Sequence, residues 1–532
     1  MDNHEHSDRL SWGDTVFLNL EREGMPLNVG CVSLLEGEIP FRACLRFVES
    51  KLTLIPRYLK RVVAPPLNIG LPIWDYDPDF DLRRHVRQVT LKHGTDRELK
   101  ALAGKLFSKV MDRQHPLWDL TLVRGLQGNH TGLIFRMHHC LADGIAGVGI
   151  MNVLMDASAV PKHIPKRKPR PRIPPPRDIT TSLLEGLTSS YSDFIHRILS
   201  AWAGALNMAE GTVAERGNLP TKEFSRLLPE LTASTERLRF NVIYRGPQKF
   251  AWAEIPLAEV KAIRHTCGTS VNDVLLALVT ATIRRYSEQH GDRVKGRLLR
   301  IMVPVNLRGN DSPANAGNHI SLVPVTIPLD IRAPKKLLAA VHRRTEFLKR
   351  AHAAELVSLV GGLIGIFPGP MQALAGPVIS QVPFTPFNMV CTSVPGPQFP
   401  LYLLGHKMLH WYPYVPIGGE LAVNCAILSY NGMVYFGFSG DVHAAPDLGR
   451  LEKLLKQSFV ELRGAAGVTA PRKKPERKKR ASTKKPVAKP AQPPATAVHP
   501  VVPLPVARPL SESTAAHEAT AGEEKVLTQM IA

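Results

Sequence analysis

Thr131-Gly-Leu-Ile-Phe-Arg-Met137, followed at once by His138-His139-Cys140-Leu141-Ala142-Asp143-Gly144, is the stretch on which the reading turns. Its first seven residues are short, apolar and rich in strand formers, and Gly128-Asn129-His130 before them reads as a turn. Gly144 to Leu154 (GIAGVGIMNVL) reads as the opening of a helix. The chemistry therefore falls where a strand gives way to a loop. Two adjacent histidines, an aspartate four residues on and a glycine behind it suit general-base catalysis. Imidazole accepts a proton near neutral pH, and a carboxylate can fix its surroundings.

Working outward, further blocks appear in order. His115-Pro116-Leu117-Trp118-Asp119 lies upstream, and Leu10-Ser-Trp-Gly-Asp14, Pro78-Asp-Phe-Asp-Leu82 and His85-Val86 lie earlier still. Downstream come Ser270-Val-Asn-Asp273, Val303-Pro-Val-Asn-Leu-Arg308, Gly317-Asn318, Ser393-Val-Pro-Gly-Pro397 and Ser429-Tyr-Asn-Gly432, with Phe436-Gly437 and Asp441 after it. The histidine run resembles the HHxxxDG signature of the acyltransferases related to chloramphenicol acetyltransferase and peptide-synthetase condensation domains. The ordered set resembles the bacterial wax ester synthase/diacylglycerol acyltransferase family, across roughly residues 8 to 465.

Plainer readings stand beside these. Paired histidines with an aspartate also suit a metal, but no second His/Cys cluster with ligand spacing accompanies them, so no metal is expected. Trp118 beside Pro116 and Leu117 reads as a buried anchor. Asn272 and Asp273 precede a helical run (VLLALVTATIRRY), so helix capping competes with an active-site role. Capping is the expectation for Asp273, and both roles stay open for Asn272.

Composition sets the organisation. At 532 residues the chain exceeds one ordinary core, and two domains are expected. The net charge of +21 suggests nucleic acid until it is mapped. Lys162–Arg177 carries seven basic and no acidic residues, and Arg472–Lys489 carries ten basic residues and one glutamate. Sixteen of the twenty-one charges thus sit in two proline-rich segments, so no nucleic-acid partner is expected. The expected division is an N-terminal acyltransferase domain over 1–160, a Pro/basic linker and helix over 161–225, a C-terminal domain over 226–466 and a disordered tail over 467–532. The tail's basic run suits acidic lipid headgroups electrostatically, or is simply solvated, with nucleic acid as a third and lesser option.

None of the six cysteines forms CxxC, and the N-terminus carries no secretory signal, which points to a reducing cytoplasm. Leu356–Gly405 contains no Asp, Glu, Lys or Arg, yet glycines and prolines break it, and its longest smooth run, Leu356–Phe367, is about twelve residues where a spanning helix needs about twenty. Core segment and lipid-touching surface both fit it. Ser182–Met208 has helical periodicity and suits either role as well.

The family resemblance implies an α/β architecture: two chloramphenicol-acetyltransferase-like domains, mixed sheets flanked by helices, and an active-site channel between them. Strands over Leu299–Val305 and around Glu254–Pro256, and helices over Leu275–Tyr286 and Lys335–Lys349, agree with a mixed fold. The resemblance assigns His139 as general base, with His138, Asp143, Gly144 and Asn272 in support. Asp143 would hold the loop through an arginine, with Arg57 and Arg61 as candidates. The implied reaction passes an acyl group from fatty acyl-CoA to diacylglycerol or a long-chain alcohol in a ternary complex, with triacylglycerol as the first choice of product and no cofactor. Nothing in the chain reads as a GxSxG nucleophile. Peripheral association with a membrane or lipid droplet follows from the substrates. The rival readings are a non-catalytic lipid binder of the same fold and an acyltransferase fed by a carrier-protein thioester.

Overall fold

The computed structural model describes residues 9–22, 24–65, 71–141, 144–160, 235–306, 320–351 and 387–469. The Pro/basic linker, the periodic Ser182–Met208 stretch, most of the uncharged segment and the basic tail lie outside the described residues, as does Asp143. All described residues belong to one compact unit within residues 1–471.

Chain order begins with α1 (Trp12–Leu20), β1 (Asn28–Glu36), α2 (Phe41–Leu52), β2 (Lys60–Val63), β3 (Ile73–Tyr76), α3 (Leu82–His85), β4 (Val86–Thr90), α4 (Asp96–Phe107), β5 (Trp118–Leu126), β6 (His130–His138) and α5 (Gly144–Leu154). It continues with β7 (Gln248–Pro256), α6 (Leu257–Cys267), α7 (Val271–Gln289), β8 (Leu298–Asn306), β9 (Ile320–Pro328), α8 (Pro334–Arg350), β10 (Met389–Pro395), β11 (Tyr402–Leu403), β12 (His406–Tyr414), β13 (Val423–Tyr430), β14 (Met433–Asp441) and α9 (Arg450–Ala465). The strands build two six-stranded sheets, ordered β11-β12-β1-β6-β5-β4 and β7-β14-β13-β10-β8-β9, while β2 and β3 pair separately. Both large sheets are mixed: β4 runs parallel to β5, and β10 runs parallel to both β8 and β13.

Local chemistry explains the helix starts. Thr95 and Glu98 form a reciprocal capping box at α4, and Ser270 and Asp273 form another at α7. The expected helix at Leu275–Tyr286 therefore starts four residues earlier: Ser270 is the N-cap, and Asp273, at the third helical position, closes the box. Asp273 is also buried and accepts hydrogen bonds from Thr345 (2.6 Å) and His342 Nδ1 (2.9 Å) of α8. It ties two helices as well as starting one.

The strand before the histidine pair reads as its burial requires. Every residue of β6 after His130 is buried, so both faces are covered and the alternation of a half-exposed strand is missing. Its one buried charge, Arg136, lies opposite Asp119 on β5. The guanidinium donates through Nε to both Asp119 oxygens (2.9 and 3.1 Å) and through Nη1 to the carbonyls of Leu106 and Lys109 (3.0 Å for Lys109) at the end of α4. A buried ion pair survives desolvation only when its remaining protons are bonded in this way.

Sheet one takes its last two strands from far along the chain. β12 pairs antiparallel with β1, and β11 pairs with β12. The same β12 lies across sheet two. A Cβ at Gly437 of β14 would fall 1.7 Å from the Pro413 carbonyl oxygen, so only glycine permits the crossing. Tyr412 stacks on Trp252 of β7 (4.6 Å between ring centres), Tyr435 donates to the Leu409 carbonyl (3.1 Å), and Ser439 donates to the Val415 carbonyl (2.6 Å). β12 thus fastens the two sheets to each other. Among the described residues no single helix is long and apolar enough to cross a membrane. α6 and α7 reach that threshold only as a pair bent by 103°, and α7 is largely buried against sheet two.

Candidate active site

β6 delivers the histidine pair to a turn held by four hydrogen bonds. The His138 backbone N–H donates to the Leu117 carbonyl (2.9 Å), and that of His139 to the Leu27 carbonyl (2.9 Å). The Leu141 N–H donates to the His138 carbonyl (2.9 Å), and the Cys140 N–H donates to His138 Nδ1 (3.1 Å). Two consecutive residues then face opposite environments, as period-two geometry requires.

His138 is 0 % exposed. Because Nδ1 accepts from Cys140, the neutral ring carries its proton on Nε2, which lies 3.4 Å from Glu21 Oε1. Glu21 caps the C-terminus of α1. Its carboxylate also accepts from the Leu27 N–H (3.1 Å) and from Arg113 Nη2 (3.2 Å). Burial pushes the Glu21 carboxyl up, but its contacts with His138, the Leu27 N–H and the Arg113 charge outweigh that and hold it below the ordinary 4.5.

His139 points the other way. Its ring stacks on Phe17 of α1, with centres 3.9 Å apart and planes 13° from parallel. It lines a cavity of about 310 Å³ together with residues of both sheets and α5. Sheet one contributes Val29, Cys31, Phe135, Met137 and Trp411, sheet two contributes Val305, Val394, Ile427 and Leu428, and α5 contributes Gly147 and Met151. Among the described residues no Asp, Glu, Lys or Arg side chain lines the cavity. Among its described residues Cys31, His139 and Tyr414 carry ionisable side chains. Burial pushes the Cys31 thiol up to about 11 and the Tyr414 hydroxyl well above its ordinary value. That leaves His139 as the imidazole, the side chain class whose ordinary range spans neutrality. Cys140 sits beside the site, but burial and then the charges of Asp14 and Glu21 push its thiol well up, so it has no thiolate to offer as a nucleophile.

The upstream block is scaffold. Trp118 is buried, its Nε1 donates to the Tyr58 carbonyl (2.8 Å), and its ring stacks on His85 (4.8 Å), which stacks on Phe80 (5.1 Å). His85 Nδ1 in turn meets the Trp118 carbonyl at 2.8 Å. Three blocks that lie apart in the sequence converge here and carry Leu117 to the His138 backbone.

The structure thus brings His138 and His139 together with Phe17, Glu21 and Arg113, which the sequence reading did not single out. Gly144 begins α5 one residue after Asp143, which lies outside the described residues. Asn272 sits in the first turn of α7, half-buried, and does not line the cavity. Of the arginines considered for Asp143, Arg57 stacks over the Trp74 ring (5.6 Å) and Arg61 pairs in register with Asp75. Among the described residues no group of three His, Cys, Asp or Glu side chains forms a metal-holding cluster.

Comparison with known proteins gives this site a family. Residues 10–275 match the wax ester synthase/diacylglycerol acyltransferase catalytic domain, and residues 316–463 match the C-terminal domain of the same family. A probable diacylglycerol O-acyltransferase of Mycobacterium tuberculosis is 28 % identical over 446 residues, covering 82 % of this chain and 91 % of that protein. An O-acyltransferase of Acinetobacter baylyi is 26 % identical over 466 residues, covering 86 % and 96 %. Among solved structures, a wax ester synthase/diacylglycerol acyltransferase from Marinobacter aquaeolei matches with a TM-score of 0.60 at 23 % identity, covering 86 % of this chain and all of that one. The first condensation domain of the calcium-dependent antibiotic synthetase shares the fold, with a TM-score of 0.53 at 12 % identity, covering 86 % and 97 %. The two mixed sheets with a cavity between them are therefore the paired chloramphenicol-acetyltransferase-like architecture, and the chain belongs to the wax ester synthase/diacylglycerol acyltransferase family of acyltransferases.

Proposed function

We propose that this enzyme transfers a fatty acyl group from acyl-CoA to the free hydroxyl of diacylglycerol, and to long-chain alcohols as alternative acceptors, with His139 as general base. The observation that carries the reading is a 310 Å³ cavity whose described lining residues include no Asp, Glu, Lys or Arg, and in which an imidazole is held by backbone hydrogen bonds and a stacked ring. Such a pocket suits hydrocarbon chains, and imidazole is the group in it suited to move a proton at neutral pH.

In this scheme His139 takes the hydroxyl proton as the acceptor oxygen attacks the thioester carbonyl. The tetrahedral intermediate collapses with loss of CoA thiolate, which recovers the proton from the imidazolium. Both substrates are present together, and alignment in the channel supplies much of the acceleration. No acyl-enzyme forms. His138 and Glu21 fix the turn, Gly144 lets the chain enter α5, and Asp143 is assigned a structural role in the same loop. Asn272 acts from the start of α7 on the fold. The choice of diacylglycerol rests on the names of the curated relatives. Water-insoluble substrates place the enzyme at a membrane or droplet surface while it works.

The test incubates the purified protein with labelled palmitoyl-CoA and either dioleoylglycerol or hexadecanol, and separates the neutral lipids. Labelled triacylglycerol exceeding wax ester supports the reading, and wax ester in excess reverses the acceptor preference. No product with either acceptor, but transfer from an acyl-carrier-protein thioester, would overturn acyl-CoA as donor.

A further inference from the structure

The cavity lies open where β8 and β10 part, and the strand register leads from His139 along its wall to Trp411. On the open side, Val305 is 37 % exposed and Ser393 and Pro395 are also exposed. β8 and β10 pair only through Met389↔Ile301 and Val390↔Met302, and the lining residues beyond that point flank the gap where the two strands part.

The strand register gives the other end. Val29, Cys31 and Ser33 share one face of β1 because side chains alternate. Val29 lies opposite Met137, Cys31 lies opposite both Phe135 and Pro413, and Ser33 lies opposite Trp411. Moving from His139 down the sheet, the wall therefore reads Met137 and Val29, then Phe135, Cys31 and Pro413, then Trp411. Phe135 is four residues from His139, roughly 13 Å along a strand. Trp411 lines the cavity at 2 % exposure, and Tyr430 stands edge-on behind it (5.7 Å) at 0 %. Tyr430 is itself fixed: its hydroxyl donates to the Met408 carbonyl (3.0 Å) and accepts from the Leu401 N–H (2.8 Å). The indole is therefore backed by a side chain that cannot yield.

We infer that Trp411 is a specificity-determining residue: it ends the hydrocarbon channel below His139 and sets the longest chain that can lie there with its reacting end at the imidazole. This deepens the proposed acyl transfer and rests on it. A chain shorter than the channel leaves apolar wall uncovered, and a longer one must withdraw its head from His139. Cys31, one step nearer His139 on the same wall, is the place where added bulk would shorten the channel.

The experiment measures transfer by the full-length protein across saturated acyl-CoAs from octanoyl to arachidoyl with dioleoylglycerol, and across alcohols from octanol to octadecanol with palmitoyl-CoA. Wild type, Trp411→Leu, Trp411→Phe and Cys31→Met are compared, each after its melting temperature is recorded. The expected result is a shift of the optimum toward longer chains in one of the two series for Trp411→Leu, with about a ten-fold gain of the longest member relative to the shortest. Trp411→Phe should move it less, and Cys31→Met should move it toward shorter chains. Folded variants with the wild-type profile in both series overturn the inference and leave acyl transfer standing. A wild type that transfers from no donor in either series overturns the proposed reaction and takes this inference with it.

Discussion

The carbonyl oxygen of Leu117 accepts the backbone N–H of His138 at 2.9 Å. This bond joins the Pro-Leu-Trp block to the histidine pair, because Leu117 is held by Trp118, whose ring is locked between Tyr58 and His85. A residue outside the cavity lining thereby sets the height of the turn that presents His139.

His139→Ala should reduce acyl transfer by about 10²- to 10⁴-fold, the usual worth of a general base. Its melting temperature should stay within a few degrees of wild type. Initial rates and circular dichroism check this, and wild-type turnover would remove His139 from the chemistry.

Phe17→Ala should loosen the imidazole without removing it. Ring stacking of this kind is worth about 0.5–1.5 kcal/mol, which corresponds to a loss of up to about ten-fold in kcat if the stack is maintained at the transition state. Phe17→Tyr keeps the ring and should recover most of the rate. A KM change with constant kcat would instead place Phe17 in substrate binding.

Asp119→Ala leaves the Arg136 guanidinium buried without its carboxylate, and should cost about 3–5 kcal/mol in urea unfolding. Asp119→Leu with Arg136→Met should recover a large part of that loss, since an apolar pair has no charge to desolvate. A double variant as unstable as the single one would show that the arginine's bonds to Leu106 and Lys109 matter more than its charge.

Acid should act partly through Glu21. Its carboxyl titrates below 4.5 in the folded enzyme, so the folded state binds fewer protons than the unfolded state. That contribution is fully present above about 4.5 and is lost as pH falls through the lower folded value. Glu21→Gln should therefore lose less stability than wild type between neutral and acidic pH, read as urea midpoints. An equal loss would assign the acid limb to other lowered carboxylates, such as Asp273 and Asp441.

What could be read from the chain was what local chemistry writes. The β6–turn–α5 unit, the start of the helix near Asp273 and the buried character of Trp118 depend on residues a few positions apart, though the N-cap itself falls on Ser270, three residues before the Asp273 the pattern pointed to. The supports of the histidine turn were not legible, because they are contacts between distant segments. Glu21 and Arg113 look like ordinary surface charges in sequence, and only the fold buries one against His138. Phe17 is one apolar residue of an apolar helix until it is seen under His139. The membership of β12 in sheet one was equally hidden. HKMLHWYPY alternates no more clearly than its neighbours, and its partner β1 lies near the other end of the chain.

That membership has a consequence for how the protein is made. β1 pairs with β6 on one side, and its other edge has no cover until β12 emerges from the ribosome late in synthesis. An uncovered edge strand invites pairing with other chains. The nascent N-terminal half is therefore the aggregation-prone species, and one to be shielded by a holding chaperone. If the gene were cut between the halves, the first product would lack two strands of its own sheet and the second would carry them, so the two pieces are expected to complement each other when co-expressed and to precipitate when made apart.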